Sequence, residues 1–328
     1  MRALMLRETT GPSGLHLEDV PVPEATDGLV LIDVHTAGVG FVDMLITKGE
    51  YQIKMPLPFV PGSEIAGTVR HAPPGSALQV GQRVAAMTLS GGFAEVAATP
   101  EILTFPLPDA VDDVVAAGMV INAGTAHLGL QRRGRLAAGE TVLVHGAAGG
   151  TGIAAIGVAK ALGAGRVIAA ASTEAKRTAA LAAGADDAVD SGGDWVTAVK
   201  ELTGGRGADI VWDPVGGDAF AGSLRCMAPE GRLLVVGFAG GTIPEVKVNR
   251  LLLRHHDVIG VNYGGLIPVD PGFPARSAAE LFRWVAEGRL RLEAGPAVPL
   301  EDGPAVLQAF ADRSVVGKPV LQVRQPAL

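Results

Sequence analysis

Residues 142–177 constrain the fold more than any other stretch. They read as a strand, VLVHG, a turn, AAGGTG, a helix, IAAIGVAKALGAG, and a second strand, RVIAAAS, that runs into TEAKR. Gly149, Gly150 and Gly152 allow a tight turn and let the backbone approach a ligand without a Cβ in the way. A helix beginning near Gly152 aims its unpaired N–H groups and positive dipole end at the same place, which suits a phosphate. Ordinary tight turns use the same residues, so the glycines alone are weak evidence. Between a strand and a helix, inside a βαβ unit, they indicate dinucleotide binding.

The end of the second strand bears on which dinucleotide. An acidic residue there holds the ribose 2′-hydroxyl of NAD. This chain has Ala171 and Ser172, followed by Lys176 and Arg177. A small hydroxyl with cations nearby suits a 2′-phosphate, so NADP is favoured. Two alternatives stay open: Glu174 can itself reach a ribose, and Lys176 with Arg177 can be the solvated first turn of a helix.

Composition narrows the function classes. A length of 328 residues implies about two domains. A net charge of −7 with no basic stripe argues against a nucleic-acid partner. The one cysteine, Cys226, excludes an internal disulfide and any multi-cysteine metal site, which fits a reducing compartment. The opening MRALMLRETTG lacks the apolar core of a secretion signal. Val114–Gln131 and Thr141–Ala159 carry no charged residue and approach bilayer length, but both are broken by polar residues and glycine. The expectation is a cytoplasmic protein with no membrane span.

The first hundred residues alternate short apolar strands (RALMLRE, LVLIDVHTAG, EIAGTVRHA, RVAAMTL, GFAEVAAT) with Pro/Gly clusters, the rhythm of a small barrel-like β domain. Residues 112–130 turn helical. From Thr141, strands and helices alternate: VLVHG, IAAIGVAKALG, RVIAAAS, EAKRTAALAAG, DDAVD, DWVTAVKELTG, ADIVWDPVG, FAGSLRCMAPEG and RLLVVGFAG. That pattern makes a parallel sheet with helices on both faces. After DVIGVNYG a helix, ARSAAELFRWVAEGRL, leads into strand-like segments to the end of the chain.

Several motifs together resemble the medium-chain dehydrogenase/reductase superfamily, and within it the zinc-free quinone oxidoreductases of the zeta-crystallin type. The likeness is carried by GVGFVDMLITKGEY, LPFVPGSEIAGTV, GGFAEV, AGTAHLGL, HGAAGGTG, DPVGGDAF, GRLLVVGFAGGTIP, LLLRHHDVIGVNYG and GKPVL, and spans nearly the whole chain. It implies an α/β fold: a GroES-like β-barrel-type catalytic domain over 1–122, a Rossmann doubly wound domain over 123–265, and a return to the catalytic domain over 266–328. The active site is expected in the cleft between the domains. It also implies a homodimer joined through the Rossmann sheet edge at DVIGVNYG, and an exposed apolar edge strand would need such cover.

The resemblance also distributes roles. The pyrophosphate loop corresponds to Ala148, Gly149, Gly150, Thr151 and Gly152, and the 2′-phosphate pair to Ser172 and Lys176. Ser191 stands where the family has a Tyr or His beside the adenosine phosphate. The nicotinamide neighbourhood corresponds to Tyr51, Thr125, Gly237, Phe238, Val261, Asn262 and Tyr263, and Arg313 to an arginine near the phosphates. Zinc-dependent relatives have Cys and His ligands where this chain has Gly40 and Ser63, so no metal is expected. Gly40 and Ala123 stand where the family often has Asn and Tyr, which enlarges the expected pocket.

Without a Lewis acid, oxidation of an alcohol is hard, whereas an electrophilic acceptor takes hydride directly when the partners are held face to face. The expected activity is therefore NADPH-dependent, metal-independent reduction of a quinone or α,β-unsaturated carbonyl. The alternatives are an enoyl-thioester or medium-chain ketone reductase, for which Arg132, Arg133 and Arg135 offer the visible basic rim, and a cofactor-binding structural or regulatory protein with little turnover. Tyr51 is a hydrogen-bond donor to the substrate carbonyl or a wall that packs on the ring. Thr125 holds the carboxamide or serves as a cap or core threonine. Asp43 and Glu64 read as structural carboxylates and Cys226 as a core residue.

Overall fold

The computed structural model describes every residue except 27, 89, 293, 294, 296 and 325–328. The chain forms two compact units, one comprising Met1–Ile121, Asp270–Ala286 and Glu293–Leu328, the other Asn122–Val269 and Glu287–Leu292.

In the first unit β1 (Arg2–Leu6) and β2 (Leu15–Asp19) form an antiparallel pair. They are followed by β3 (Leu29–Gly38), β4 (Glu64–His71), β5 (Arg83–Met87), β6 (Val96–Pro100) and β7 (Thr104–Pro106). The chain returns to this unit as β14 (Ala297–Pro299) and β15 (Val320–Gln322), giving a seven-stranded sheet in the order β14-β15-β3-β4-β5-β7 with β6 paired to β3. Alternating Val, Ile and Leu from β3 to β5 bury a core with Leu4, Leu6 and Phe93. Each such fully buried side chain contributes roughly 1.5–3 kcal/mol of transfer free energy.

Two helices of this unit were not expected from the sequence. Helix α1 (Phe41–Thr47) follows β3 directly. Helix α10 (Gly303–Ala311) interrupts the tail that reads as strand-like; Pro304 in its first turn is pre-set for a helix start, and Leu307 fills the same core.

The second unit holds a six-stranded, all-parallel sheet. Its strands are β8 (Thr141–His145), β9 (Arg166–Ala171), β10 (Asp187–Asp190), β11 (Ala208–Asp213), β12 (Met227–Val235) and β13 (Asp257–Gly260), in the order β10-β9-β8-β11-β12-β13. The direction of winding reverses between β8 and β11. In an open α/β sheet, the crevice outside the carboxyl ends of those strands is where ligands bind. The DVIGVNYG strand lies at one edge, as β13.

The helices joining these strands are α3 (Gly150–Ala161), α4 (Glu174–Ala182), α5 (Trp195–Leu202) and α6 (Gly217–Cys226). The segment FAGSLRCMAPEG, expected to be helical throughout, stops at Cys226, and Met227 begins β12. Pro229 disfavours a helical conformation at Ala228, and the register shift between Ala208 and Ile210 lets the APEG residues bulge. Leu290 explains why residues 287–292 join this unit, although a single return over 266–328 was expected. Its Cδ1 lies 2.9 Å from where a Cβ on Gly157 of α3 would stand. Arg289 Nε, in turn, donates to the Ala161 carbonyl at 2.9 Å.

Helix α2 (Asp113–His127) continues as a π-helical turn over Leu128–Arg133. This run is long and apolar enough to cross a membrane, yet 78% of its apolar window is buried within the protein. Gly129 permits it: a Cβ there would lie 2.4 Å from the ring of Trp212.

Candidate functional site

At the switch point, β8 feeds the glycine turn. Gly146 has φ +58, a conformation that favours glycine, and Ala147 N–H donates to the Ala170 carbonyl of β9 at 3.3 Å. Ala148 is buried, Gly149 is the N-cap of α3, and no side chain caps that helix. The amide hydrogens of Gly150, Thr151 and Gly152 therefore begin α3 without helical partners, with no acidic residue in the first turn. A Cβ on Gly152 would stand 2.3 Å from the Gly146 carbonyl oxygen and 2.7 Å from Ala147 Cα, so only glycine keeps this turn. Thr151 Oγ1 donates to Asn122 Oδ1 at 3.2 Å. Bare amides, a dipole and no competing carboxylate give this helix start the chemistry to hold an anion such as a pyrophosphate.

Sequence reasoning passed over His145, the last residue of β8. It is buried beneath the turn, edge-on to Trp195 with ring centroids 4.8 Å apart. Its Nε2 lies 2.8 Å from Ser223 Oγ, whose own proton goes to the Ala219 carbonyl at 2.7 Å. The imidazole therefore donates from Nε2, and burial lowers its pKa to about 4 against the opposing pull of Asp213. Asp213, at the end of β11, accepts from the Val215 and Gly216 amides at 2.9 Å each and shapes the neighbouring turn.

At the end of β9, Ser172 is exposed and Thr173 caps α4 by accepting from Lys176 N–H at 3.3 Å. Ser191 follows β10 immediately, and its amide donates to the Ala171 carbonyl at 3.2 Å. Because Ala171 pairs with Asp190, Ser172 and Ser191 leave the sheet side by side, with the first turn of α4 carrying Lys176. The second cation that the sequence offered is committed elsewhere: Arg177 Nη1 donates to the Ala171 carbonyl at 3.3 Å and lies 3.4 Å from Asp190.

Of the residues assigned to the nicotinamide end, Gly237, Phe238 and Val261 to Tyr263 follow shortly after β12 and β13. Gly237 and the 40%-exposed Phe238 follow β12, and a Cβ on Gly216 would stand 3.1 Å from the Phe238 ring. Val261 N–H donates to the Val235 carbonyl at 2.9 Å. Asn262 caps α8 (Tyr263–Leu266), accepting from Gly265 N–H at 2.9 Å. Tyr263 is buried against α2, its hydroxyl 2.7 Å from where a Cβ on Gly124 would be, beside the half-buried Thr125. Two remote segments, residues 124–125 and 261–263, are thereby brought together.

Tyr51 and Arg313 belong to the first unit. Tyr51 is half-buried in the loop after α1; Arg313 is exposed just past α10, with φ +56. In the same unit Asp43 and Glu64 are fully buried. Asp43 accepts from Gly40 N–H at 2.8 Å and from Ser63 Oγ at 2.6 Å. Glu64 accepts from Ile121 N–H at 2.8 Å and pairs with Lys318 Nζ at 2.5 Å. The residues present do not fit a catalytic zinc ion. Gly40 has no donor atom, the Ser63 hydroxyl is engaged by Asp43, and among the described residues no three His, Cys, Asp or Glu side chains group to hold a metal. Cys226 is buried in α6, where burial raises its thiol to about 11, against the pull of Lys200 and Arg225.

Comparison with known proteins agrees with this architecture. Residues 26–109 match the alcohol dehydrogenase GroES-like domain and residues 150–282 the zinc-binding dehydrogenase domain, although the donor set here does not suit zinc. Quinone oxidoreductase-like protein 2 of Rattus norvegicus is 37% identical over 297 residues, covering 90% of this chain and 85% of its own. The crystal structure of a probable oxidoreductase from Mycobacterium abscessus is 44% identical with a TM-score of 0.90, over 98% of this chain and 99% of the other. A mycobacterial protein solved in complex with NADPH is 35% identical with a TM-score of 0.91, over 98% and 100% of the two chains. The chain belongs to the medium-chain dehydrogenase/reductase superfamily of oxidoreductases. Within it, the similarity is to the quinone oxidoreductases, the branch that lacks zinc.

Proposed function

We propose that the protein is an NADPH-dependent, metal-independent reductase of quinones or α,β-unsaturated carbonyl compounds. The observation that carries this reading is the uncapped start of α3, where Gly152 admits no side chain and unpartnered amides converge. Ala148 to Gly152 would hold the pyrophosphate, and Ser172, Lys176 and Ser191 the 2′-phosphate. Gly237, Phe238 and Val261 to Tyr263 would line the nicotinamide pocket, with Thr125 bonding the carboxamide and Arg313 serving the phosphates. When bound, the cofactor supplies the hydride. The chain's residues orient the ring, exclude water and, through the Tyr51 phenol, hydrogen-bond the acceptor oxygen.

The thioester alternative loses support because its basic rim is engaged: Arg133 donates to the Gly260 carbonyl at 3.1 Å and Arg135 pairs with Asp257 at 3.1 Å. We infer a homodimer through β13, whose surroundings expose Val248, Leu252 and Leu253 at 74% each. The cytoplasm is proposed from the single, buried cysteine. The test is NADPH oxidation with 9,10-phenanthrenequinone, a trans-2-enone and a crotonyl thioester. Turnover with the first two supports the reading. Tight NADPH binding with no turnover on any acceptor overturns it.

A further inference from the structure

Ala171 closes β9, Asp190 closes β10, and the two are register partners, so Ser172 and Ser191 follow them out of the sheet side by side. The carboxylate of Asp190 is held at that point. Its Oδ1 accepts from Gly192 N–H at 2.9 Å, an Asx turn that folds the side chain over the residues following β10. The Asp190 carbonyl accepts from Gly193 N–H at 3.0 Å and closes the same turn.

A carboxylate beside Ser191 is at odds with a 2′-phosphate there. The phosphate brings a charge of about −1.5 to −2 at neutral pH, and a fixed like charge within a few ångströms repels it. Asp190 is 53% exposed, so nothing but a counter-charge can screen it from an incoming anion. Arg177 supplies that charge. Its Nη1 lies 3.4 Å from the same Oδ1 and donates to the Ala171 carbonyl at 3.3 Å, where Ser191 N–H also donates at 3.2 Å. The guanidinium is thus fixed between the two strand ends from the first turn of α4. An exposed pair of this kind adds little to stability, which leaves the local field as its consequence.

We propose that the Arg177–Asp190 pair sets the cofactor preference, Arg177 masking the Asp190 carboxylate so that a 2′-phosphate is accepted between Ser172 and Ser191. The proposal rests on the NADPH reading above. Arg177 acts through Asp190 and is a positioning residue, not a ligand of the phosphate. Unmasked, Asp190 turns the same strand ends against the phosphate and leaves a ribose hydroxyl unopposed.

The experiment measures NADPH and NADH Kd by fluorescence titration for wild type, Arg177→Ala, Arg177→Lys, Asp190→Asn and the double variant Arg177→Ala/Asp190→Asn. Arg177→Ala should raise NADPH Kd about tenfold at low ionic strength and leave NADH Kd unchanged. Relative to wild type, that penalty should shrink to about threefold or less near 0.5 M salt, because exposed charges are screened. Arg177→Lys keeps the charge and should retain most of the NADPH affinity. The double variant should return to within about twofold of wild type, since Asn still accepts from Gly192 N–H and no carboxylate remains to mask. A wild type that prefers NADPH, with a double variant as weak as Arg177→Ala, overturns the mask alone. So does an Arg177→Ala protein with wild-type NADPH Kd, or one whose loss is equal for NADH or indifferent to salt. A wild type that does not prefer NADPH to NADH overturns the 2′-phosphate reading and the mask together.

Discussion

Replacing Gly152 by Ala should damage stability and cofactor affinity together. The added Cβ would stand 2.3 Å from the Gly146 carbonyl oxygen and 2.7 Å from Ala147 Cα. Ordinary contact needs about 3.4 Å or more, so turn or helix must move by roughly 1 Å, and the atoms in the way are backbone that cannot rotate aside. Overpacking of this kind costs about 1–3 kcal/mol, which lowers Tm by roughly 2–12 °C for a unit of this size. The same displacement shifts the amides of Gly150 and Thr151 from their common focus. NADPH Kd should rise at least about tenfold, equivalent to ~1.4 kcal/mol. Differential scanning calorimetry of the cofactor-free protein and fluorescence titration with NADPH measure the two effects. If Gly152→Ala matches wild type in both Tm and Kd, the account of the turn as a cradle only glycine can form is wrong.

Lys176→Ala should raise the KM for NADPH about tenfold or more and barely alter that for NADH; equal effects would reject the 2′-phosphate assignment. Tyr51→Phe should lower kcat while leaving NADPH Kd unchanged, and an unaltered kcat across pH would make Tyr51 a packing wall. His145 titrates at about 4 in the fold, below its ordinary value, so the unfolded chain binds the extra proton between those pH values and stability rises with pH across that window. Denaturant melts should show wild type losing on the order of 3 kcal/mol more than His145→Asn on going from pH 7 to pH 4. Identical pH slopes for the two proteins would refute the buried, neutral imidazole.

The strand-turn-helix of residues 142–177 was legible because local rules alone write it: glycines where the backbone crowds, apolar runs of strand length, and a helix start at the turn. The alternation that followed gave the parallel sheet for the same reason. Helix α10 was missed because a nine-residue apolar run is short enough to pass for strand, although Pro304 and the helical spacing of Val306, Leu307 and Phe310 both favour a helix. The end of α6 was misjudged because a strand bulge, which depends on β11 as its partner, sets where Met227 turns extended. Within the candidate site, the glycine turn and Ser172 could be read in one dimension. The approach of Tyr263 to Gly124 could not, since it joins segments far apart in sequence. The Asp43–Ser63 bond is of the same kind: twenty residues separate partners that only the fold brings to 2.6 Å.

Whether this chain reduces an electrophilic acceptor with NADPH and without a metal can be measured directly. The measurement is steady-state oxidation of NADPH and NADH by 9,10-phenanthrenequinone, with and without a strong chelator. The expected result is turnover that the chelator leaves unchanged, with kcat/KM at least about tenfold higher for NADPH than for NADH. Turnover abolished by the chelator, or saturable NADPH binding with no oxidation of it, would contradict the account.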